Sequence, residues 1–148
     1  NALCCLLRFG SVKESRRILD FAQQISTFNL VPAFHPVIEC DDAQYRKIVN
    51  AAKAVGKVEP RNQPGQYHNG GLWPFVNGFW ALAARQMNQI DVCRRWEKGI
   101  DDANFLQNNG FYEFRDARTG KANGMKGQAW SAAGKIFAHF DAATNLVL

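Results

Sequence analysis

Eight consecutive residues carry the side-chain types that a sugar-binding site needs. They are Tyr67, His68, Asn69, Gly70, Gly71, Leu72, Trp73 and Pro74. Sugars present hydroxyl groups beside flat apolar C–H faces, so their sites combine hydrogen-bonding groups with aromatic rings. The same residues also suit a simple helix entry, in which Asn69 caps the helix, the glycines turn the chain and Trp73 is buried. The residue types alone leave both interpretations open.

Glu113 is the carboxylate that best suits proton transfer. It lies between Tyr112 and Phe114, and a carboxylate flanked by aromatic rings is partly desolvated, which can adapt it to acid–base chemistry. The alternative is a solvated surface glutamate, which is the commoner fate of this residue type. Asp116 is the nearby competitor, but the Ala-Arg-Thr-Gly that follows it is typical of a turn.

Other polar residues give weaker signals. Glu39, Asp41 and Asp42 form an acidic cluster, which indicates partners of a helix N-terminus more than a metal site. The four cysteines have no C-x-x-C spacing and no histidine at zinc-finger distance. We therefore predict no metal site, and reduced cysteines favour the cytoplasm.

Hydrophobic periodicity and capping residues predict an all-α chain. Ser11 and Glu14 have capping-box spacing before a helix that reaches Ile25. Further helices are predicted after Asp42, from Pro74, from Asp91 to the Asn108–Gly110 breaker, and from Ala129 to Phe140; the opening Ala2–Phe9 reads as the end of a buried helix.

The connections between these helices are long and polar. Phe111–Phe114 and the turn at Arg118–Gly120 predict one small hairpin. Long loops in a compact helical domain usually carry function. We therefore expect a ring of antiparallel helix pairs with its loops gathered at one end.

Composition and charge exclude several classes of function. The chain has 148 residues and a net charge of +5, from 18 Lys and Arg against 13 Asp and Glu. These charges are spread along the chain, which argues against nucleic-acid binding. No apolar run approaches the roughly 20 residues that cross a bilayer, so no membrane segment is predicted.

The motifs, taken in order, resemble the C-terminal region of six-hairpin glycosidases. The matching strings are Pro36–Glu39, Asn62–Pro64, Tyr67–Phe75, Tyr112–Phe114 with Thr119-Gly120, and Gly127–Gly134. Two families fit: the amylo-alpha-1,6-glucosidases of glycogen-debranching type, which the segments after Trp73 and before Trp130 slightly favour, and the alkaline/neutral invertases. The Tyr-His-Asn-Gly-Gly-x-Trp-Pro string is the most specific part of the resemblance.

The resemblance implies an (α/α)6 toroid that hydrolyses a glycosidic bond with inversion, using two carboxyl groups and no cofactor. Glu113 matches the position of the general base. The residues matching the sugar subsite are Tyr67, His68, Asn69, Trp73, Gln128 and Trp130. The substrate would be an oligosaccharide or disaccharide.

The general acid of these families lies on an earlier hairpin, and Glu39 is a poor substitute for it. The chain begins with Asn1 in an abrupt apolar stretch. We therefore expect residues 1–148 to be the C-terminal part of a single catalytic domain whose N-terminal half is missing and which alone is inactive. Two alternatives stay open: a non-catalytic carbohydrate-binding or scaffold module, and a helical interaction domain.

Overall fold

A computed structural model describes residues 1–57 and 60–139. In these ranges the chain is mostly helical, with one two-stranded sheet, so the prediction of an all-α fold is confirmed. The helices are α1 (Ala2–Leu6), α2 (Val12–Ile25), α3 (Ala43–Ala54), α4 (Pro74–Gln86), α5 (Ile90–Asn109) and α6 (Ala129–His139); the strands are β1 (Phe114–Arg115) and β2 (Ala122–Asn123).

The helix starts follow the capping residues closely. The Ser11 side chain accepts the Glu14 N–H, while the Glu14 carboxylate accepts the Ser11 N–H, which completes the predicted capping box. The Asp42 carboxylate caps α3, and Pro74 is the first residue of α4. Helix α5 starts at Ile90, which leaves Asp91 in its first turn. The predicted end of the last helix, Phe140, lies outside the described residues.

The predicted hairpin is present but displaced by a few residues. Phe114 pairs with Asn123 and Arg115 with Ala122 in antiparallel register. The turn is closed by Asp116, whose N–H donates to the Lys121 carbonyl at 2.9 Å. The hairpin therefore holds its first strand directly after Glu113.

Helix α4 is the centre of the core. It packs against both α5 and α6, and the short Met87–Gln89 connection makes α4 and α5 antiparallel neighbours. Gly78 of α4 meets Gly134 of α6 so closely that a Cβ on Gly78 would lie 2.5 Å from the Gly134 carbonyl oxygen. An antiparallel pair of helices, such as α4 and α5, is the unit that a six-hairpin toroid repeats.

Free thiols behave as small hydrophobic groups in this core. Cys5 and Cys93 are buried, Cys4 is half-buried and Cys40 is exposed, and none of them forms a disulfide. Burial and the neighbouring Glu97 raise the pKa of the Cys93 thiol to about 12. This thiol therefore stays protonated at neutral pH.

Candidate active site

Glu113 opens onto a cleft of about 190 Å³ beside the small hairpin. The cleft is lined by Arg61, Tyr67, Glu113, Phe114, Asn123, Gly124 and Met125. The structure thus brings Glu113 and Tyr67, both of them predicted site residues, to one surface. Arg61 contributes a cation, and its guanidinium lies 6.0 Å from the centre of the Tyr67 ring.

Glu113 is held at both its backbone and its side chain. It is 7% exposed, its N–H donates to the Met125 carbonyl at 2.9 Å, and its carboxylate accepts the Met125 N–H at 3.3 Å. Among the described residues this is the one hydrogen bond to the carboxylate, which has about four acceptor positions. The carboxylate therefore retains acceptor capacity on the cleft side.

Four rings form an aromatic cluster beside the cleft: Tyr67, His68, Trp73 and Phe114. Tyr67 and Phe114 line the cleft, whereas His68 lines a separate hollow of about 160 Å³ together with Asn69. The rings of His68 and Trp73 are stacked, with centroids 5.3 Å apart and planes 5° apart. Trp73 also stacks on Phe114 at 5.8 Å, and its indole N–H donates to the Tyr67 carbonyl at 3.0 Å. Trp73 itself is 8% exposed, so it supports the outer rings from behind.

Asn69 is buried, and its amide is committed to the backbone. Its Oδ1 accepts the Ile38 N–H at 2.8 Å, while its Nδ2 donates to the carbonyls of Ile38 and Asn62. Asn69 thereby ties two loops together. It does not cap α4, whose N-cap residue is Trp73.

Gly71 has a specific structural requirement. A Cβ at this position would lie 2.5 Å from the Tyr67 carbonyl oxygen and 2.6 Å from the Tyr67 nitrogen. Contacts this short force the backbone to move. Gly71 therefore allows the tight turn that presents Tyr67.

Gln128 and Trp130 lie at the start of α6, outside the residues that line the cleft. Gln128 is 9% exposed, and its N–H donates to the Phe111 carbonyl at 2.9 Å. Trp130 is 42% exposed. A backbone hydrogen bond thus connects the start of α6 to the segment before Glu113. The side chains of Gln128 and Trp130 do not reach the Glu113 cleft.

Asp116 has the role in a turn that its sequence indicates. Its Oδ1 accepts the backbone N–H groups of Arg118 and Thr119 at 2.8 and 2.7 Å. Burial acts to raise the pKa of Asp116, but the hydrogen bonds from Thr119, Gln66 and Arg118 outweigh it and lower the pKa below its usual value. Asp116 is therefore a charged structural carboxylate.

The acidic cluster near residue 40 is also structural. Glu39 forms an exposed ion pair with Arg118, and Asp42 caps α3. Within residues 1–57 and 60–139, no group of three or more His, Cys, Asp or Glu side chains is arranged to hold a metal ion. None of the helices in the same ranges is long and apolar enough to cross a bilayer.

Five residues of the cleft were not predicted as site residues from the sequence: Arg61, Phe114, Asn123, Gly124 and Met125. Asn123-Gly124 is a turn-type pair, and its position after a predicted hairpin turn could have placed it opposite Glu113. Arg61 and Met125 carry no such signal, because each reaches the cleft only through the folding of a long loop.

A second, larger groove lies on another side of the molecule. Its volume is about 610 Å³. It is lined by Asn1, Ala2, Leu3, Arg17, Ile18, Phe21, Ala22, Ile25, Val31, Pro32, Ala33, Phe34, His35, Val76, Phe79 and Trp80. This groove, bounded by α1, α2 and α4, contains none of the predicted site residues.

A helical chain with a buried carboxylate beside an aromatic wall has the features of a glycosidase, and comparison with known proteins identifies a glycoside hydrolase family. The family model for alkaline and neutral invertase matches residues 1–142. The chain belongs to this family. The resemblance to invertases is thereby confirmed, and the family match favours the invertase alternative over the debranching-type interpretation.

Similar proteins include plant and bacterial enzymes. The probable alkaline/neutral invertase D of Arabidopsis thaliana is 27% identical over 146 residues, which cover 93% of this chain and 25% of the relative. Neutral/alkaline invertase 1, mitochondrial, of Oryza sativa subsp. japonica is 33% identical over 81 residues, covering 53% and 13%. Mannosylglycerate hydrolase of Thermus thermophilus is 31% identical over 84 residues, covering 57% and 20%. The chain thus spans a quarter or less of each of these relatives.

Proposed function

We propose that this chain carries the general-base side of an active site that hydrolyses sucrose with inversion. The observation that carries the proposal is the buried Glu113 carboxylate, which faces a cleft shared with Tyr67 in a member of the invertase family. We further propose that residues 1–148 are the C-terminal part of the catalytic domain.

The proposed reaction uses Glu113 to activate water. The carboxylate accepts a proton from a water molecule, which attacks the anomeric carbon while a general acid protonates the departing glycosidic oxygen. An inverting pair leaves room for that water by standing about 6.5–9.5 Å apart. The free acceptor positions of Glu113 and its fixed backbone suit this role. The general acid is expected on a hairpin outside this chain.

The aromatic cluster is the proposed sugar platform. Tyr67 lines the cleft directly, and His68 is exposed while stacked on Trp73. Tyr67 and His68 are the side chains best placed to touch a sugar, with Trp73 packed behind them. Asn69, which the resemblance also implicates, is proposed to act by fixing this loop, since its amide is already paired with backbone groups.

We also propose Gln128 and Trp130 as sugar-subsite residues, because both match the subsite positions of the six-hairpin glycosidases that the chain resembles. Trp130 is exposed at the first turn of α6, where its ring is accessible to a ligand. Gln128 is buried next to the segment that leads to Glu113. A sugar that reaches these residues would extend beyond the Glu113 cleft.

The names of the relatives support sucrose as the substrate, but they also indicate other candidate substrates. The plant relatives are described as invertases, and one bacterial relative as a mannosylglycerate hydrolase. The names of the plant relatives include mitochondrial, chloroplastic and cytosolic locations. A cytoplasmic location for this chain therefore remains a proposal.

The test is hydrolysis by the full-length protein that contains this chain. Sucrose, a branched α-1,6 dextrin and mannosylglycerate are supplied separately, and release of glucose or mannose is measured. The Glu113→Gln variant is expected to lose roughly 10²- to 10⁴-fold in rate on sucrose, as for removal of a general base. Glu39→Gln is the matched control, because Glu39 is exposed and paired with Arg118.

Each outcome has a distinct meaning. Release of glucose from sucrose that requires Glu113 but not Glu39 supports the proposal. Preferential hydrolysis of the dextrin or of mannosylglycerate overturns the choice of substrate but keeps the enzyme. A folded protein that binds sugar and hydrolyses none of the three would favour a carbohydrate-binding module.

A further inference from the structure

Asp116 makes one hydrogen bond that its turn does not require. Its Oδ1 accepts the two N–H groups that close the turn. Its Oδ2 accepts the Nε2–H of Gln66, 50 residues earlier in the chain, at 2.9 Å. Asp116 is 5% exposed, and this part-buried bond is charge-assisted.

Gln66 directly precedes Tyr67 and lies in the same hydrogen-bonded turn. The Gln66 N–H donates to the Gln63 carbonyl, and the Gln66 carbonyl accepts the Asn69 N–H, both at 2.9 Å. Inside this tight turn Tyr67 has a φ of 45°, which is uncommon for a residue with a side chain. The orientation of the Tyr67 ring therefore depends on where Gln66 is held.

Asp116 belongs to the same short hairpin as Glu113. The Glu113 N–H is bonded to Met125, and the Asp116 N–H is bonded to Lys121 across the hairpin. These bonds give Glu113 and Asp116 a fixed separation along one arm. A bond from Asp116 to Gln66 thus connects the carboxylate on one wall of the cleft to the ring on the other.

From these contacts, and resting on the proposed function, we infer that Asp116 is a positioning residue that sets the spacing between Tyr67 and Glu113 through Gln66. Asp116 does not line the cleft. It acts on the cleft only through its bond to Gln66 and through the hairpin that it shares with Glu113. The specificity of the sugar platform then depends on a carboxylate that no substrate touches.

Two neighbouring backbone contacts keep the loop folded when this side-chain bond is removed. Leu72 and Arg115 exchange N–H···O bonds at 2.9 and 2.8 Å, and the Ala117 N–H donates to the Gly65 carbonyl at 2.9 Å. None of these bonds involves the Asp116 or Gln66 side chain. Substitutions at the two positions therefore change the placement of Tyr67 without removing the main connections between loop and hairpin.

The test first breaks the bond between Gln66 and Asp116 and then restores it with donor and acceptor exchanged. It uses the full-length protein with sucrose as the substrate. Gln66→Glu places a second carboxylate against Asp116, and repulsion displaces the loop. We expect KM to rise about tenfold, a difference typical of one charge-assisted bond, with a smaller change in kcat. The double variant Gln66→Glu/Asp116→Asn restores a donor–acceptor pair with reversed polarity and is expected to return KM towards the wild-type value.

Asp101→Asn is the control for simple destabilisation. Asp101 joins α5 to α6 through Lys135 and lies away from the cleft. Loss of stability alone would lower the amount of active enzyme without raising KM. A wild-type KM in Gln66→Glu, or a double variant no better than that single variant, would overturn the inference.

Near-ultraviolet circular dichroism separates this inference from the proposed function. The signal includes a contribution from the packing of Tyr67 against His68 and Trp73, whose ring centroids lie 4.2 and 5.1 Å away. If wild-type protein hydrolyses no sucrose, the proposed function fails, and the inference is judged on this signal. Gln66→Glu should alter it and the double variant restore it; an unchanged spectrum in Gln66→Glu would overturn the inference.

Discussion

Two of the hollows in this chain, the apolar groove and the Glu113 cleft, differ both in size and in the chemistry of the side chains that line them. The groove bounded by α1, α2 and α4 has a volume of about 610 Å³, against about 190 Å³ for the Glu113 cleft. The groove is lined mainly by aliphatic and aromatic side chains. The cleft has a buried carboxylate, a guanidinium and a tyrosine within a much smaller surface.

The difference lies in what holds each region in shape. The cleft is built from loops whose buried polar groups bond to one another, as in the contacts of Asn69, Glu113 and Asp116. The groove is a gap between helices, with Phe21 and Phe34 still 51% and 47% exposed on it. The large volume of the groove therefore indicates a gap in helix packing. A catalytic site instead requires polar groups that are held in fixed positions.

Among the substitutions that test this comparison, the largest expected effect comes from crowding the cleft at Gly124. A Cβ there would lie 2.6 Å from the Glu113 Oε2 and 2.7 Å from its Cβ. We expect Gly124→Ala to lower hydrolysis by the full-length protein about 10²-fold, since small displacements of a reacting group have effects of that order. Gly127→Ala is the matched control: Gly127 has a φ of 73° against 76° for Gly124, but nothing lies within 4 Å of its added Cβ. Equal losses in both variants would contradict the crowding argument.

The next effect tests the link between the two regions at Asn77. This side chain is fully buried and bonds to both backbone groups of Val31, on the groove, and to the carbonyl of Trp73, behind the cleft. We expect Asn77→Ala to lower the free energy of unfolding by about 2–3 kcal/mol, because buried backbone groups lose their partners. Urea denaturation measures it, with the exposed Asn50→Ala on α3 as control. A loss no greater than in the control would show that the two regions are held independently.

A smaller effect concerns the exposed apolar surface of the groove. Phe21→Ser with Phe34→Ser should reduce binding of a hydrophobic dye by this 148-residue chain, because these rings form part of the groove. Phe9→Ser is the control, since Phe9 is 67% exposed but outside the groove. Dye fluorescence that falls equally in the control would mean that the groove is not the dye site.

The smallest effect is the pH dependence of stability contributed by Asp116. Its pKa is lower in the folded protein than in the unfolded chain, so its stabilising contribution is complete above the unfolded value of about 4. The contribution is lost as pH falls through the folded pKa. The stability advantage of wild type over Asp116→Asn should therefore shrink on acidification. Denaturant midpoints across acidic pH measure it, and an advantage that grows on acidification would contradict the sign.

Local chemistry made much of the fold predictable. Ser11 with Glu14, Asp42 and Pro74 determine helix starts through contacts within a few residues, and all three were confirmed. The hairpin after Glu113 was predicted with a small displacement, because its register depends on the Asp116 turn and on pairing with Leu72. Pairing between distant segments has no signature in a short window of sequence.

The candidate site was predictable in its residue types more than in its geometry. Tyr67 and Glu113, which both stand in distinctive motifs, line one cleft. The bonds of the Asn69 amide to backbone groups and the placement of Gln128 and Trp130 beyond the cleft depend on the paths of two long loops. Arg61 reaches Tyr67 for the same reason, so no local pattern could identify it.

The contact between Gly78 and Gly134 has a consequence for protein engineering. Replacing a mid-helix glycine by alanine is a standard stabilising change, because glycine is unfavourable in a helix by about 1 kcal/mol relative to alanine. Here an added methyl group on Gly78 would lie 2.5 Å from the Gly134 carbonyl oxygen, so α4 and α6 would separate. Helix α4 begins at the residue after Trp73, and a thermostability programme that followed helix propensity at this contact would shift the aromatic cluster as well.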